Sequence, residues 1–499
     1  MVRIQRKKVK NNRSGKMLGA VAVILLAAAS VLFRAQFQVQ QKVDDDGYNN
    51  DINVKSSKRN KRGKATEHLQ KKFDLTMDRV TNMDDDNDDT MKLILSGRLN
   101  LIDITSIRKI GEGEPTSDGT PPFPYSARGV FCELDWSRHK NDAASVPMFK
   151  DLIANSPACR RTRVTVDLLR AASEARIQSM QDEMNANASD TDADHEATAT
   201  SKSKSMKPTG FVFHESRCGS TLVANSLASF DPPTTRVYSE SPPPITVAKA
   251  AQAAIAANPN VEADAIRMVQ DTLFLMGRTS DMIEERLFFK IQSIGSKSID
   301  IFRKAFPSSP FIYVFRDPVQ VMRSHLKGQD TTKAVCTRSR RNPPADLLNH
   351  IANSNSIVQK ASSLSTEEFC AAHLATLCVA AEKAIQESEG WGRAVNYEAL
   401  PQILIDDIIP HHFLGHWDKH ENDGKEKEYI SSNLTEDEIA RVLEVNKKYS
   451  KGRKGKGRAW EADSTQKEDT AWDELKDASS KFLLPVYERL QVLARDGVL

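Results

Sequence analysis

Gly210-Phe-Val-Phe213 runs into His214-Glu-Ser-Arg-Cys-Gly-Ser-Thr221, and that in turn into Leu222-Val-Ala-Asn-Ser-Leu-Ala228. A short apolar, aromatic run is the pattern of a buried strand, and the closing stretch has the pattern of a helix. Strand, tight loop and helix in that order make an anion cradle, because loop and helix-terminal N–H groups point at the same oxygens. Gly219 permits close backbone approach, while Ser220 and Thr221 add hydroxyl donors. Arg217 adds a forked cation, and Cys218 sits in the same loop, where a thiol near an anion site is a candidate for reactivity. The loop lacks the GxxxxGK[ST] pattern, so magnesium-dependent phosphoryl transfer has little support. Taken alone, it also fits an ordinary strand-to-helix turn.

Two further constellations lie downstream. Phe311-Ile-Tyr-Val-Phe315 predicts a second buried strand, followed by Arg316-Asp-Pro318 and a helix over Val319–Leu326. If the Asp-Pro turn reverses the chain, Arg316 and Ser324 return to one point and can hold a second phosphate. An Arg-Asp pair at a strand end is also a common structural feature. Lys451-Gly-Arg-Lys-Gly-Lys-Gly-Arg458-Ala-Trp460 is basic and glycine-rich. It reads as a solvated loop, a patch for membrane or polysaccharide, or a backbone able to wrap an anion through Arg453, Lys454 and Gly455.

Together and in this order, these elements resemble the sulfotransferases that use 3′-phosphoadenosine 5′-phosphosulfate (PAPS), over roughly residues 207–499. His214–Thr221 looks like their 5′-phosphosulfate loop, and Phe311–Ser324 is similar to their 3′-phosphate motif. Val395-Asn-Tyr-Glu-Ala-Leu400 with Phe413-Leu-Gly415 resembles the Tyr-Glu-x-Leu strand end and later Phe-Leu-Gly. Arg453-Lys-Gly455 resembles the late Arg-Lys-Gly loop, although Arg458-Ala459 departs from it. The resemblance implies an α/β fold with a central parallel sheet flanked by helices, PAPS as co-substrate, no metal, and transfer of a sulfuryl group to an acceptor hydroxyl. Phe288-Phe-Lys290-Ile-Gln292 looks like the strand on which cytosolic members carry Lys-x-His, but Gln292 replaces the histidine and is a poor base. Glu240, in Val237-Tyr-Ser-Glu240, is similar in placement to the glutamate base of tyrosylprotein sulfotransferases, with His214 and His325 as alternatives. Lys290 and Arg217 are then expected to stabilise charge on the transferring group and the departing phosphate. Arg316, Ser324, Arg453 and Lys454 are expected to grip the 3′-phosphate.

The rest of the chain speaks to place. Residues 1–16 hold seven basic groups and no acid, and Met17–Phe33 form an uncharged 17-residue run closed by Arg34. This predicts a single-pass anchor with a cytosolic basic tail and a lumenal body, as in a Golgi type II protein. A cleaved signal peptide is the alternative. Residues 34–90 read as a disordered stalk, 91–180 as a small module of unnamed role, and 181–206 as a linker before the catalytic stretch at 207–499. Asn187-Ala-Ser and Asn433-Leu-Thr are glycosylation sequons. Cys132 and Cys159 can pair or stay as buried thiols; so can Cys336 with either Cys370 or Cys378.

Across 499 residues, 70 basic and 67 acidic groups leave a net charge of only +3. That balance excludes a nucleic-acid binder relying on bulk charge. The expected partners are the membrane and a hydroxyl-bearing glycan or protein acceptor. His412, His416 and His420 fall at spacings of four, but Gly415 is expected to stop the helix between them, which disfavours a metal site. Ser365-Thr-Glu-Glu368 and Thr435-Glu-Asp-Glu438 read as capping boxes, and Leu475–Leu493 as a helix packed on the core. Two other functions compete with sulfuryl transfer: a kinase or nucleotidase with a phosphate loop, and a membrane-tethered protein that binds sulfated glycans without catalysis.

Overall fold

The structure, a computed structural model, describes residues 88–111, 124–188, 203–327, 331, 334–354, 363–415, 433–448 and 464–496. Two compact units divide the chain, Met1–Thr81 and Asn82–Leu499, and every described residue belongs to the second. The Met17–Phe33 run and most of the stalk lie outside the described residues. No helix among the described residues is long and apolar enough to cross a membrane.

After the helix Asp88–Leu95, three strands, β1 (Leu99–Ile110), β2 (Tyr125–Glu133) and β3 (Val164–Asp167), form an antiparallel sheet in that order. A short antiparallel pair follows, β4 (Lys204–Ser205) with β7 (Arg278–Thr279). The main sheet is wholly parallel. It consists of β5 (Pro208–His214), β6 (Thr235–Ser239), β8 (Arg286–Lys290), β9 (Phe311–Phe315) and β10 (Gly392–Asn396), in the order β10-β9-β5-β8-β6. β5, β6 and β9 are buried at every position. That explains the apolar, non-alternating runs Phe211–Phe213 and Phe311–Phe315: helices cover both faces of a parallel sheet. Phe413 reaches the sheet at Gly210, where a Cβ would lie 2.4 Å from its ring, so only a glycine leaves room for the aromatic.

The order places β5 where the topology changes direction. From β5 the chain fills β6 and β8 on one side, then crosses to β9 and β10 on the other. The loops at the carboxyl ends of strands flanking such a point diverge and leave a crevice. The pairings Ser239↔Lys290, Val212↔Lys290 and His214↔Val314 bring the carboxyl ends of β6, β8, β5 and β9 to one edge.

Residues 88–188 do not stand apart as a module. Their apolar side chains belong to the same core as those of 203–496. The buried carboxylate of Asp271 joins the two parts, accepting from Tyr125 Oη at 3.0 Å, Arg176 Nε at 2.9 Å and Arg267 Nε at 2.8 Å. Burial first, and then the charge of Asp271, raises the Tyr125 phenol far above its ordinary value. The helix Leu168–Ala188 runs on into the stretch expected to be linker, because its start packs under β2 while its polar end still satisfies its own backbone. The helix Asp88–Leu95 likewise begins within the expected stalk, burying Met91 and Ile94.

Disulfides link Cys132 to Cys159 and Cys336 to Cys370. Cys378 is free, and its sulfur accepts from Tyr313 Oη at 3.4 Å. Both capping boxes form, at Ser365/Glu368 and Thr435/Glu438. Helical structure spans the expected 475–493 stretch. Gly415, expected to stop a helix, is right-handed and caps the wide-turn segment Leu404–Leu414. His412 is held by its Nε2 contact with the Phe311 carbonyl at 3.0 Å, whereas His416 and His420 lie outside the described residues.

Candidate active site

The loop after β5 is conformationally unusual. Ser216 (φ 88°) and Arg217 (φ 57°) adopt the left-handed region without being glycine, and Gly219 follows at φ 92°. Glu240, after β6, is also left-handed at φ 57°, so three of the four such non-glycine residues among those described fall at this edge. Positions of this kind cost about 1–3 kcal/mol each, and the surrounding structure must hold them. The hold here is visible. Ser216 N–H donates to His214 Nδ1 at 3.1 Å, Glu240 N–H donates to the Lys290 carbonyl at 2.8 Å, and Gln292 Nε2 donates to the Glu240 carbonyl at 3.4 Å.

Helix Ser220–Phe230 starts directly from Gly219. Its first N–H groups have no partner inside the helix. The hydroxyls of Ser220 and Thr221 are both buried and have no hydrogen-bond partner among the described residues. Buried polar groups are normally satisfied, so two adjacent orphaned hydroxyls at a helix N-terminus fit an anion-binding loop. Arg217 is exposed above them, with no ion pair among the described residues. A Cβ on Gly219 would meet the Tyr397 ring at 2.4 Å, so Tyr397, just past β10, forms a floor under the loop. Cys218 does not face this space: it is fully buried and its thiol donates to the Val314 carbonyl at 3.0 Å. The reactivity expected of it therefore has no geometric basis, and its part in the loop is structural.

Glu240 and Lys290 meet directly, as an ion pair and hydrogen bond. The Lys290 side chain is wholly buried, whereas that of Glu240 is 27% exposed, so the carboxylate is the open member of the pair. His214 Nε2 faces Glu240 Oε1 at 3.6 Å. Because His214 Nδ1 accepts from Ser216, the neutral ring carries its proton on Nε2, toward Glu240. His214 is thereby disfavoured as a base, since the nitrogen facing the carboxylate has no free lone pair. His325, the other alternative, lies near the end of helix Pro318–Leu326.

Arg316 and Ser324 are brought together through Gln320 rather than left open to one point. Arg316 Nε donates to Gln320 Oε1 at 2.6 Å, and Ser324 Oγ donates to the Gln320 carbonyl at 2.8 Å. The guanidinium also lies over the Tyr397 ring, 3.9 Å from its centroid, and donates to Ser464 Oγ at 3.0 Å. Tyr397 thus touches both the loop and Arg316. Beside them a cavity of about 290 Å³ is lined by Leu222, Tyr397, Glu398, Leu400, Pro401, Asn446 and Ser464. Asn446 Oδ1 is buried without a partner among the described residues, while its Nδ2 is tied to Ser226 Oγ at 3.0 Å. Arg453, Lys454 and Gly455 lie outside the described residues.

Sequence reasoning passed over four residues here: Glu215, Gln320, Tyr397 as a floor, and Asn446. Glu215 left a trace, a carboxylate directly after a strand with no exposed position. Gln320 lies one helical turn from both Arg316 and Ser324, whereas the partners that give Tyr397 and Asn446 their places are distant in the chain. Among the described residues no cluster of three or more potential ligands could hold a metal ion.

No protein-family model matches the sequence, and no curated protein matches it. Among the solved structures with similarity to it are two sulfotransferases. The sulfotransferase domain from the curacin biosynthetic pathway is 14% identical, with 58% of this chain and 98% of that one covered at a TM-score of 0.26. Sulfotransferase STF9 from Mycobacterium avium is 12% identical, with 70% and 93% covered at a TM-score of 0.27. Likeness at this level assigns neither a family nor an activity to the chain.

Proposed function

We propose that the chain transfers a sulfuryl group from PAPS to an acceptor hydroxyl. The observation that carries this is the meeting of the Glu240–Lys290 pair with the strained loop and its orphaned Ser220 and Thr221 hydroxyls at one sheet edge. The residues fit the donor: the loop offers N–H groups and hydroxyls to one anionic end, and Arg316 a fork to the other. The cavity beside them, walled by Leu222, Leu400 and Pro401 with a few polar groups, is large enough for a nucleoside ring. When bound, PAPS supplies the activated sulfuryl group and a bisphosphate leaving group.

Glu240 is the base in this proposal, taking the acceptor's hydroxyl proton onto its partly exposed carboxylate. Lys290 fixes that carboxylate and supplies buried positive charge where negative charge gathers during transfer. Gln292 anchors the Glu240 backbone instead of acting as a base. Arg217, at the crown of the loop, adds a second cation. Arg316, preset by Gln320, Ser464 and Tyr397, reads the remote phosphate and so selects the donor. Ser324 contributes by fixing Gln320, and Arg453, Lys454 and Gly455 keep their proposed role at the same phosphate.

A lumenal, Golgi-membrane setting is part of the proposal. It is supported by the basic tail and apolar run at 1–33 and by two disulfides, which persist in oxidising compartments. The acceptor class proposed is a glycan or a protein. The test is binding of adenosine 3′,5′-bisphosphate, followed by transfer from labelled PAPS to a panel of glycan and peptide acceptors. Saturable binding weakened at least tenfold by Arg316→Ala, with transfer abolished by Glu240→Ala, is expected. Absence of binding by the wild type would reject the donor, and full activity of Glu240→Ala would reject the base.

A further inference from the structure

Three hydrogen bonds sew the loop after β5 to the end of β9. Glu215 N–H donates to the Val314 carbonyl at 3.1 Å, and Cys218 Sγ donates to the same oxygen at 3.0 Å. In the third, Arg316 N–H donates to Glu215 Oε2 at 3.3 Å. Glu215 is 1% exposed, and its Oε1 has no hydrogen-bond partner among the described residues. It precedes the strained Ser216–Arg217 pair, and its carboxyl holds the backbone of Arg316, whose guanidinium is proposed to read the remote phosphate. We propose that Glu215 is a positioning residue that couples the 215–221 loop to Arg316, so that an anionic ligand gripped at both ends is held by one rigid unit.

The coupling rests on the donor-binding proposal above, and it carries a dependence on protonation. Arg316 and Asp317 flank the carboxyl from the turn after β9. Tyr313, on β9, and Cys378, on helix Thr366–Gln386, are close enough to sense its charge. Burial outweighs the hydrogen bond and charge of Arg316 and pushes Glu215 up to about 8, with Asp317 adding in the same direction. The neutral acid has one oxygen to accept from Arg316 N–H and an O–H on the other. Ionisation would place an unsatisfied charge beneath both anion subsites, repelling the ligand and drawing the guanidinium inward.

The test uses the full chain and adenosine 3′,5′-bisphosphate, titrated calorimetrically between pH 7 and pH 9. Wild-type affinity should fall about tenfold across this range, following the neutral fraction of Glu215. Glu215→Gln should bind within about threefold of wild type at pH 7 and stay flat to pH 9. Glu215→Ala should bind at least tenfold more weakly at both. The same slope in Glu215→Gln, or wild-type affinity in Glu215→Ala, would overturn the coupling. Should the wild type not bind at all, the donor proposal fails separately, and thermal unfolding then decides on Glu215. The stabilisation by a carboxyl raised on folding is complete below its unfolded value, near 4.5, and is lost as pH rises toward 8. The wild-type melting temperature should therefore decline relative to Glu215→Gln between pH 5 and pH 8. A constant difference would overturn the neutral acid and the coupling with it.

Discussion

Replacing Lys290 by methionine tests the proposed chemistry most directly. Methionine keeps an unbranched chain in a position with no exposure and removes only the ammonium group that meets Glu240. Removing one preorganised donor from a site of this kind costs about 2.7–4 kcal/mol of transition-state stabilisation, or roughly 10²–10³ in kcat. The stability cost should be smaller. Stranding one member of a fully buried pair costs about 3–5 kcal/mol, but Glu240 is 27% exposed and keeps contact with water. About 1–2 kcal/mol is therefore expected, a shift of only a few degrees in Tm for a chain of this size. Single-turnover transfer at saturating PAPS separates the two effects, with calorimetric unfolding in parallel. The double variant Lys290→Met/Glu240→Gln should be hardly slower than the slower single variant, because the two groups act as a unit. Transfer by Lys290→Met within threefold of wild type would refute the assignment. So would a loss confined to the KM for PAPS.

Three other outcomes follow from the geometry. Gly219→Ala places a Cβ 2.4 Å from the Tyr397 ring at φ 92°, and left-handed strain alone costs about 1–2 kcal/mol; affinity for adenosine 3′,5′-bisphosphate should fall at least tenfold, and unchanged binding would show that the loop is not the cradle. Burial pushes His139 and His373 down to about 4, so their stabilisation is present above the unfolded value of 6.5 and lost as pH falls toward 4. His373→Gln should flatten the acid limb of the stability profile over that window, and an unaltered limb would contradict the burial argument. Replacing Cys132 and Cys159 together by alanine opens a loop of 27-residue separation, for which chain entropy predicts about 3.5 kcal/mol of lost stability. A denaturant midpoint equal to that of the wild type would argue that the pair adds nothing.

The apolar strands were legible in the chain because a buried parallel strand needs an unbroken hydrophobic run. Phe311–Phe315 is found where its sequence placed it, and Gly210–Phe213 extends by only a few residues to Pro208–His214. The capping boxes were legible for the same reason, as each is a contact between neighbours three residues apart. The helix running to Ala188 was not, because its first turns are paid for by contacts with β2 and with helix Glu262–Met276, far along the chain.

At the candidate site the division is similar. The sequence by itself determined which side chains could bind anions or carry protons: Arg217, Ser220, Thr221, Glu240, Lys290, Arg316 and Ser324. Only the tertiary structure decided what each one faces. It turned Cys218 inward to Val314, put the proton of His214 toward Glu240, and routed Arg316 and Ser324 through Gln320. It also buried Glu215, which pushes its carboxyl up to about 8, and set that carboxyl against the backbone of Arg316, 101 residues away. The physical reason is that local pattern fixes a residue's chemistry and its element, whereas burial, tautomer and partner depend on groups that sequence order keeps far apart.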